Sequence, residues 1–150
     1  MTVDWLCKHH TDLGKEQLYA ILRLRCEVFV VEQQCVYQDI DGQDLDGDTH
    51  HLMAWKDDEL MAYLRLLDPQ LQGGDVVIGR VIVAPSARGT GLGHQMMKET
   101  LRQIEHIWPD TPIYLSAQAH LQGYYGRYGF VAEGEQYLED GIPHRGMRRA

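Results

Sequence analysis

One continuous stretch, residues 81–93, constrains the fold more than any other part of the chain. It begins with the β-branched residues Val81 to Val83, and this apolar run stops at Pro85. Three glycines follow. Apolar residues then recur every three or four positions, as on one face of a helix: Leu92, Met96, Met97, Leu101 and Ile104. The pattern predicts a strand, a tight glycine turn and a helix.

Such a turn is well suited to holding a phosphate or a diphosphate. Glycine reaches backbone angles that other residues avoid, and it lets a ligand come close to the main chain. The first turn of a helix also carries unpaired N–H groups and partial positive charge from its peptide dipoles. These features predict an anion cradle. A glycine-rich turn without any ligand is the alternative interpretation.

Three kinds of nucleotide cradle can be compared with the sequence. A P-loop requires Gly-Lys-Ser/Thr, whereas His94 and Gln95 follow Gly93, which excludes it. A dinucleotide fold places an acid about 20 residues further on. The next predicted strand, residues 113–116, carries no acid, so the sequence gives that reading little support. The third kind is a cradle for the diphosphate of coenzyme A.

Two motifs carry a resemblance to a known family. The run Arg88-x-x-Gly91-x-Gly93 resembles the Arg/Gln-x-x-Gly-x-Gly/Ala signature of the GNAT N-acetyltransferases. After one further strand, Tyr125-x-x-x-Gly-Phe is similar to the end of a short helix in that family. The family's Asn, seven residues before this Tyr, is Gln118 here, a departure that keeps an amide.

Other segments are similar to the ElaA-like branch of the same family. They are the run at residues 25–33, the acidic segment at 37–41 and the segment Glu139-Asp-Gly-Ile-Pro-His144. With these pieces the resemblance spans nearly the whole chain.

The expected fold class is α/β with a mixed sheet, in a single N-acetyltransferase domain covering residues 1–150. The resemblance implies the GNAT acyl-CoA N-acyltransferase fold, in which a parallel strand pair splays around the acetyl-CoA site and helices flank the sheet. Alternation and periodicity predict the elements. Strands are expected near residues 3–7, 51–56, 60–67, 76–83, 113–117, 130–138 and 144–148, with helices over 18–29, from 92 onward and before Tyr125.

Composition limits the function classes. A net charge of −8 argues against a nucleic-acid partner, which needs a basic face, and fits an amine substrate better. The three cysteines form no Cys-x-x-Cys pair, so we expect reduced thiols in a cytoplasmic protein. No export segment and no apolar run of about 20 residues is evident, so no membrane association is expected.

No metal site is expected. Five aspartates lie between Asp39 and Asp48. A twelve-residue calcium loop that starts at Asp39 or at Asp44 would lack the required glycine at its sixth position and glutamate at its twelfth. We predict a solvated acidic loop; a negative rim that attracts a cationic amine is the functional alternative. The adjacent pairs His9-His10 and His50-His51 should point to opposite faces of strands, which prevents joint metal binding.

The resemblance implies acetyl-CoA as co-substrate and transfer of its acetyl group to a primary amine by direct attack in a ternary complex. Tyr125 matches the family's general acid. The main chain of residues 81–83 would bind the pantetheine arm, and backbone N–H groups of the glycine turn would bind the diphosphate. The residues expected to contact the co-substrate are Val81, Ile82, Val83, Arg88, Gly89, Thr90, Gly91, Leu92, Gly93, His94 and Gln118.

Some questions stay open at this level. The general base is undecided among Glu32, Asp39, His120 and Glu133. A non-catalytic acyl-CoA sensor or interaction module is the alternative to an enzyme, and a longer acyl donor is the alternative to acetyl. Family members are often dimers, so a homodimer is compatible with the resemblance. The sequence does not name the amine acceptor.

Overall fold

A computed structural model describes residues 2–150 and places seven strands of that range in one mixed sheet of order β1-β2-β3-β4-β5-β7-β6. The strands are β1 (Asp4–His9), β2 (His50–Lys56), β3 (Glu59–Leu67), β4 (Val76–Val83), β5 (Ile113–Gln118), β6 (Val131–Glu139) and β7 (Ile142–Arg149). The helices are α1 (Lys15–Arg25), α2 (Leu92–Ile107) and α3 (Gln122–Gly126). The expected α/β class and mixed sheet are confirmed.

The strand and helix predictions hold, with shifts at their ends. The first strand runs to His9, two residues beyond its predicted end. The predicted helix over 18–29 is α1 up to Arg25 and then a π-helical segment, Cys26–Glu32. A π-helical turn is rare and is found most often where a helix serves a functional site.

Helix α2 is amphipathic in the way the sequence predicts. Its buried residues include Leu92, Met96, Met97 and Ile104, which pack on one face of the sheet together with Tyr125 of α3. A second core on the opposite face joins α1 to the sheet through residues such as Ile21 and Tyr63. The sheet is therefore covered on both faces, and its centre is accessible only where strands separate.

The histidine pairs differ from one another. His50 and His51 lie on β2 as predicted: His51 is fully buried and His50 is half-buried. The prediction for His9-His10 is wrong, because β1 ends at His9 and a 3₁₀ turn starts at His10. The rings of His9 and His10 stack with their centroids 4.5 Å apart.

No helix within residues 2–150 is long and apolar enough to cross a membrane.

Candidate active site

The central opening lies between the two parallel strands. β4 and β5 pair only from Val76 opposite Ile113 to Ile78 opposite Leu115. Beyond this point β4 continues along β3 as far as Val83, and β5 continues along β7 as far as Gln118. The edge of β4 that would face β5 is thus left without a strand partner over its second half.

β4 changes course where the opening begins. Its pairing with β3 shifts register between Tyr63 and Arg65, and Arg80 in the shifted region has a φ of +55°. A non-glycine residue with positive φ inside a strand is strained, and a bulge of this kind bends the strand and re-aims a side chain. The Arg80 side chain leaves the ladder and donates from Nε to Asp39 at 2.8 Å.

A cavity of 410 Å³ fills the gap between the strands. Its walls include the predicted residues Val81, Gln118 and Tyr125. Ile82 and Val83 do not line it: the Ile82 side chain is buried in the core under α1, so only the main chain of these two residues can reach the open strand edge. Sequence reasoning missed the remaining side of the cavity, formed by Phe29, Gln33, Cys35, Tyr37, Glu139, Asp140 and His144.

The glycine turn follows directly after β4. Gly89 and Gly91 have φ values of +79° and +81°, the left-handed region that favours glycine. The first N–H bonded back into the helix is that of Gln95, which donates to the Gly91 carbonyl at 3.2 Å. Within residues 2–150, the N–H groups of positions 89–94 have no hydrogen-bond acceptor. These free amides at a helix N-terminus fit an anionic diphosphate.

The side chain of Arg88 is already paired. It donates to both carboxylate oxygens of Glu32, at 2.9 and 2.7 Å, and from Nε to the Val83 carbonyl at 3.2 Å. The hydrogen bonds from Arg88 lower the pKa of Glu32. Both side chains are more than one third exposed, so solvent screens the pair, and an incoming phosphate can compete for the guanidinium.

Tyr125 reaches the cavity from α3. Its side chain is buried among the core residues above the sheet, and burial raises the pKa of its phenol to about 12. Among the described residues its hydroxyl has no hydrogen-bond partner. Since it lines the cavity, that hydroxyl is available to a bound molecule.

The two neighbouring tyrosines hold α3 against the start of α2. Tyr124 donates its hydroxyl to the Gly93 carbonyl at 2.7 Å, and the Tyr128 hydroxyl lies 2.5 Å from His94 Nδ1. A Cβ atom at Gly93 would come within 3.3 Å of the Tyr124 hydroxyl, which explains why a small residue suits this position. His94 therefore contributes a positioning contact through its ring, and its main-chain N–H remains free.

The acidic segment is only in part the solvated loop predicted above. Asp39 and Asp44 are buried, at 6% and 5% exposure, and Arg25 is completely buried beside them. Arg25 donates to Asp39 Oδ2 at 3.0 Å, to Asp44 Oδ1 at 2.5 Å and to the Asp39 carbonyl at 2.9 Å. For these aspartates the prediction is wrong, because the cations that pair with them come from α1, β3 and β4, far away in sequence. Asp46 and Asp48 are exposed, as predicted.

Two more arginines complete this charge cluster, defined as Arg25, Arg65, Arg80, Asp39, Asp41 and Asp44. Arg65 donates to both oxygens of Asp41 at 2.9 Å and to Asp44 at 3.0 Å. Burial opposes ionisation of Asp44, but hydrogen bonding and charge from Arg25 outweigh it and lower the pKa of that carboxyl. Three cations balance three anions, so the alternative of a negative rim does not apply to these aspartates.

None of the four residues considered as general base lines the cavity. Glu32 is paired with Arg88, Asp39 lies inside the charge cluster, and Glu133 accepts two hydrogen bonds from Arg148 at 3.1 Å. His120 is exposed.

The described residues also contain no group of three or more His, Cys, Asp or Glu side chains arranged to hold a metal ion.

A mixed sheet that opens between its parallel strands, directly before a helix N-terminus with free amides, is the architecture of the acyl-CoA N-acyltransferase fold. Residues 10–150 match the family model of the acetyltransferase (GNAT) domain, and the chain belongs to this family. It is an acyltransferase that uses an acyl-CoA as its co-substrate.

The chain is 55% identical over 147 residues to Protein ElaA of Escherichia coli K12, covering 98% of this chain and 96% of that protein. The crystal structure of an acyl-CoA N-acyltransferase from Pseudomonas aeruginosa superposes with a TM-score of 0.98 at 67% identity, over 99% of this chain and 100% of that one. For the crystal structure of Escherichia coli ElaA the TM-score is 0.94 at 54% identity, with the same coverage. The resemblance to the ElaA-like branch is confirmed.

Proposed function

We propose that this chain transfers an acetyl group from acetyl-CoA to a primary amine of a small molecule, a peptide or a protein, by direct attack in a ternary complex. The observation that carries the proposal is the opening of β4 from β5 immediately before the free amides of the glycine turn. It provides one continuous surface for a long, peptide-like thioester with an anionic end.

The diphosphate would bind the main-chain N–H groups of Gly89, Thr90, Gly91, Leu92, Gly93 and His94. The Leu92 side chain is buried in the core and the Thr90 hydroxyl already donates to the Ala87 carbonyl at 2.5 Å, so both residues act through the backbone. Arg88 would contribute only after it leaves Glu32. The pantetheine arm would add to the free edge of β4 at Val81, Ile82 and Val83, as an extended peptide adds to a sheet.

Tyr125 would donate a proton to the departing sulfur. A phenol with a pKa of about 12 stays protonated at physiological pH, as this role requires. The Gln118 amide would lie beside it, at the end of β5. A pure acyl-CoA sensor needs no proton donor at this position, so the free Tyr125 hydroxyl supports an enzyme.

Charge at the cavity supports an amine acceptor. Arg80, the cationic side chain in its wall, is neutralised by Asp39 and Asp41. Glu139 and Asp140 line the same cavity with exposed carboxylates. The remaining charge is therefore negative and would attract a protonated amine.

The test combines calorimetry with acetyl-CoA and a free-thiol release assay over a panel of primary amines. Acetyl-CoA binding with amine-dependent thiol release and an acetylated amine in the product supports the proposal. Binding without release across the panel would favour the sensor, and release only from longer acyl-CoA thioesters would change the donor. Absence of any heat with coenzyme A or acetyl-CoA would overturn the assignment.

A further inference from the structure

The strand pattern places Tyr125 and His144 on opposite faces of the sheet, although both line the same cavity. Ala117 and Met147 pack in the core with Tyr125. Because side chains alternate along a strand, Gln118, the neighbour of Ala117, faces the other way. His144 is the cross-strand partner of Gln118 and lies three positions from Met147, so it shares that opposite face. The cavity thus passes through the sheet between two different proton-bearing groups.

Contacts around His144 fix which ring nitrogen can receive a proton. Nδ1 lies 2.7 Å from the Ile142 carbonyl, which can only accept, so Nδ1 carries the hydrogen. In the neutral ring Nε2 is then an unprotonated acceptor. Glu139 Oε2 lies 3.4 Å from Nε2, and this carboxylate becomes an ion-pair partner only when Nε2 gains a proton. The His144 side chain is only 10% exposed, so the cavity is its main access to a substrate.

We propose that His144 is the proton acceptor for the amine substrate, with Nε2 taking the proton and Glu139 stabilising the cation that forms. The inference rests on the proposed acetyl transfer and names its missing base. Tyr125 serves the leaving sulfur from one face of the sheet, and His144 receives the amine from the other.

The protons balance as follows. A protonated amine loses its first proton to His144 Nε2, and the freed lone pair forms the C–N bond while the C–S bond breaks. The second nitrogen proton ends on the sulfur by way of Tyr125, which gives its own proton and regains one. The products are an N-acetylated amine and free coenzyme A. His144 returns one proton to water in each turnover.

The rate lost on removing His144 depends on the pKa of the amine acceptor. A lysine-like amine has a pKa of about 10.4, so at pH 7.4 about one molecule in a thousand is neutral. A positioned general base is worth about 10²–10⁴-fold. Loss of His144 should therefore lower kcat/KM for such an amine about 10²–10³-fold at pH 7.4. An amine that is already neutral at this pH should lose about tenfold or less.

Other charged or titratable groups lie around His144. They are Tyr137 and Glu139 of β6, Asp140 of the following turn, Arg80 of β4, Cys35 and Tyr37 of the loop over the cavity, and Tyr125 of α3. Arg80 is held by the charge cluster. Of these groups, Glu139 is the one with a charged atom close to Nε2, at 3.4 Å.

The experiment compares His144→Ala and His144→Asn with His120→Ala, which removes an exposed histidine outside the cavity. Calorimetry should give the same acetyl-CoA affinity for all of them. With a basic amine, kcat/KM of the His144 variants should keep rising with pH toward the pKa of the amine, because only its neutral form can react. These variants should lose most rate with strongly basic amines, and His144→Ala should regain rate with added imidazole. Asparagine keeps a donor for the Ile142 carbonyl, so His144→Asn should fold even if His144→Ala does not.

Nitrogen-15 NMR of the wild-type protein gives a readout that is independent of activity. The neutral His144 ring should carry its hydrogen on Nδ1, because the Ile142 carbonyl beside it can only accept. An unchanged pH profile in the His144 variants, an equal loss for all amines, or the opposite tautomer overturns the inference while leaving acetyl transfer in place. A wild-type protein that binds acetyl-CoA but acetylates no amine overturns the proposed function itself.

Discussion

Replacing Arg25 by methionine should destabilise the protein more than any other single change in the charge cluster. Arg25 is fully buried, and methionine matches much of its length without its charge. The change removes hydrogen bonds from Asp39 and Asp44 and leaves three buried or half-buried carboxylates with two cations. Asp44 is affected most, because its Oδ2 has no partner even in the intact cluster.

The magnitude can be worked out from these contacts. Removing one partner of a buried ion pair costs about 3–5 kcal/mol of the free energy of unfolding, since the other charge stays buried. In a domain of this size each kcal/mol moves the melting temperature by about 2–4 °C. Arg25→Met should therefore melt about 6–20 °C below the wild type.

Thermal unfolding followed by circular dichroism at pH 7.5 measures the shift. Arg102→Met is the matched control, because the Arg102 side chain is 67% exposed where it pairs with Glu99 of α2, and its loss should leave the melting temperature nearly unchanged. The double variant Arg25→Met/Asp44→Asn should recover part of the stability, because it removes one unpaired anion. Equal melting of Arg25→Met and Arg102→Met, or no recovery in the double variant, would refute the view that buried charge balance holds this segment.

Three further predictions concern the site and its pH response. Tyr125→Phe should lower kcat about 10²-fold, the usual scale for one transition-state hydrogen-bond donor, with unchanged acetyl-CoA affinity by calorimetry; a wild-type rate would rule out the donor role. Gly91→Ala should weaken acetyl-CoA binding and cost about 1–2 kcal/mol of stability through its positive φ, whereas Gly123→Ala, in open space on α3, should be neutral or slightly stabilising. The pKa of Asp41 is lowered in the folded state, because hydrogen bonds and charge from Arg65 and Arg80 outweigh its burial, so its stabilising effect is present above about pH 3.9 and is lost on further acidification. Urea unfolding between pH 2.5 and 7 should show a shallower acid loss for Asp41→Asn, and identical slopes would contradict this.

The part of the site predicted from sequence is the part that local patterns determine. The glycine turn and its helix depend on spacing within about 20 residues, and they lie where the spacing predicts. Tyr125 lines the cavity because a short helix follows β5 at the expected distance. The cavity position of His144 depends instead on the register of β7 against β5, which no residue within the final hairpin reveals.

The charge cluster shows why the other parts of the site could not be predicted from the sequence, and how the cluster shapes the opening. From sequence alone, Asp39, Asp41 and Asp44 resemble a surface loop, because their cations lie 14 to 41 positions away. Arg80 adopts a strained φ of +55° that costs about 1–2 kcal/mol, and its bonds to Asp39 offset that cost. This bulge lies two residues beyond Ile78, where β4 stops pairing with β5. The aspartates that look solvated in the sequence therefore hold β4 in the bent course that opens the sheet.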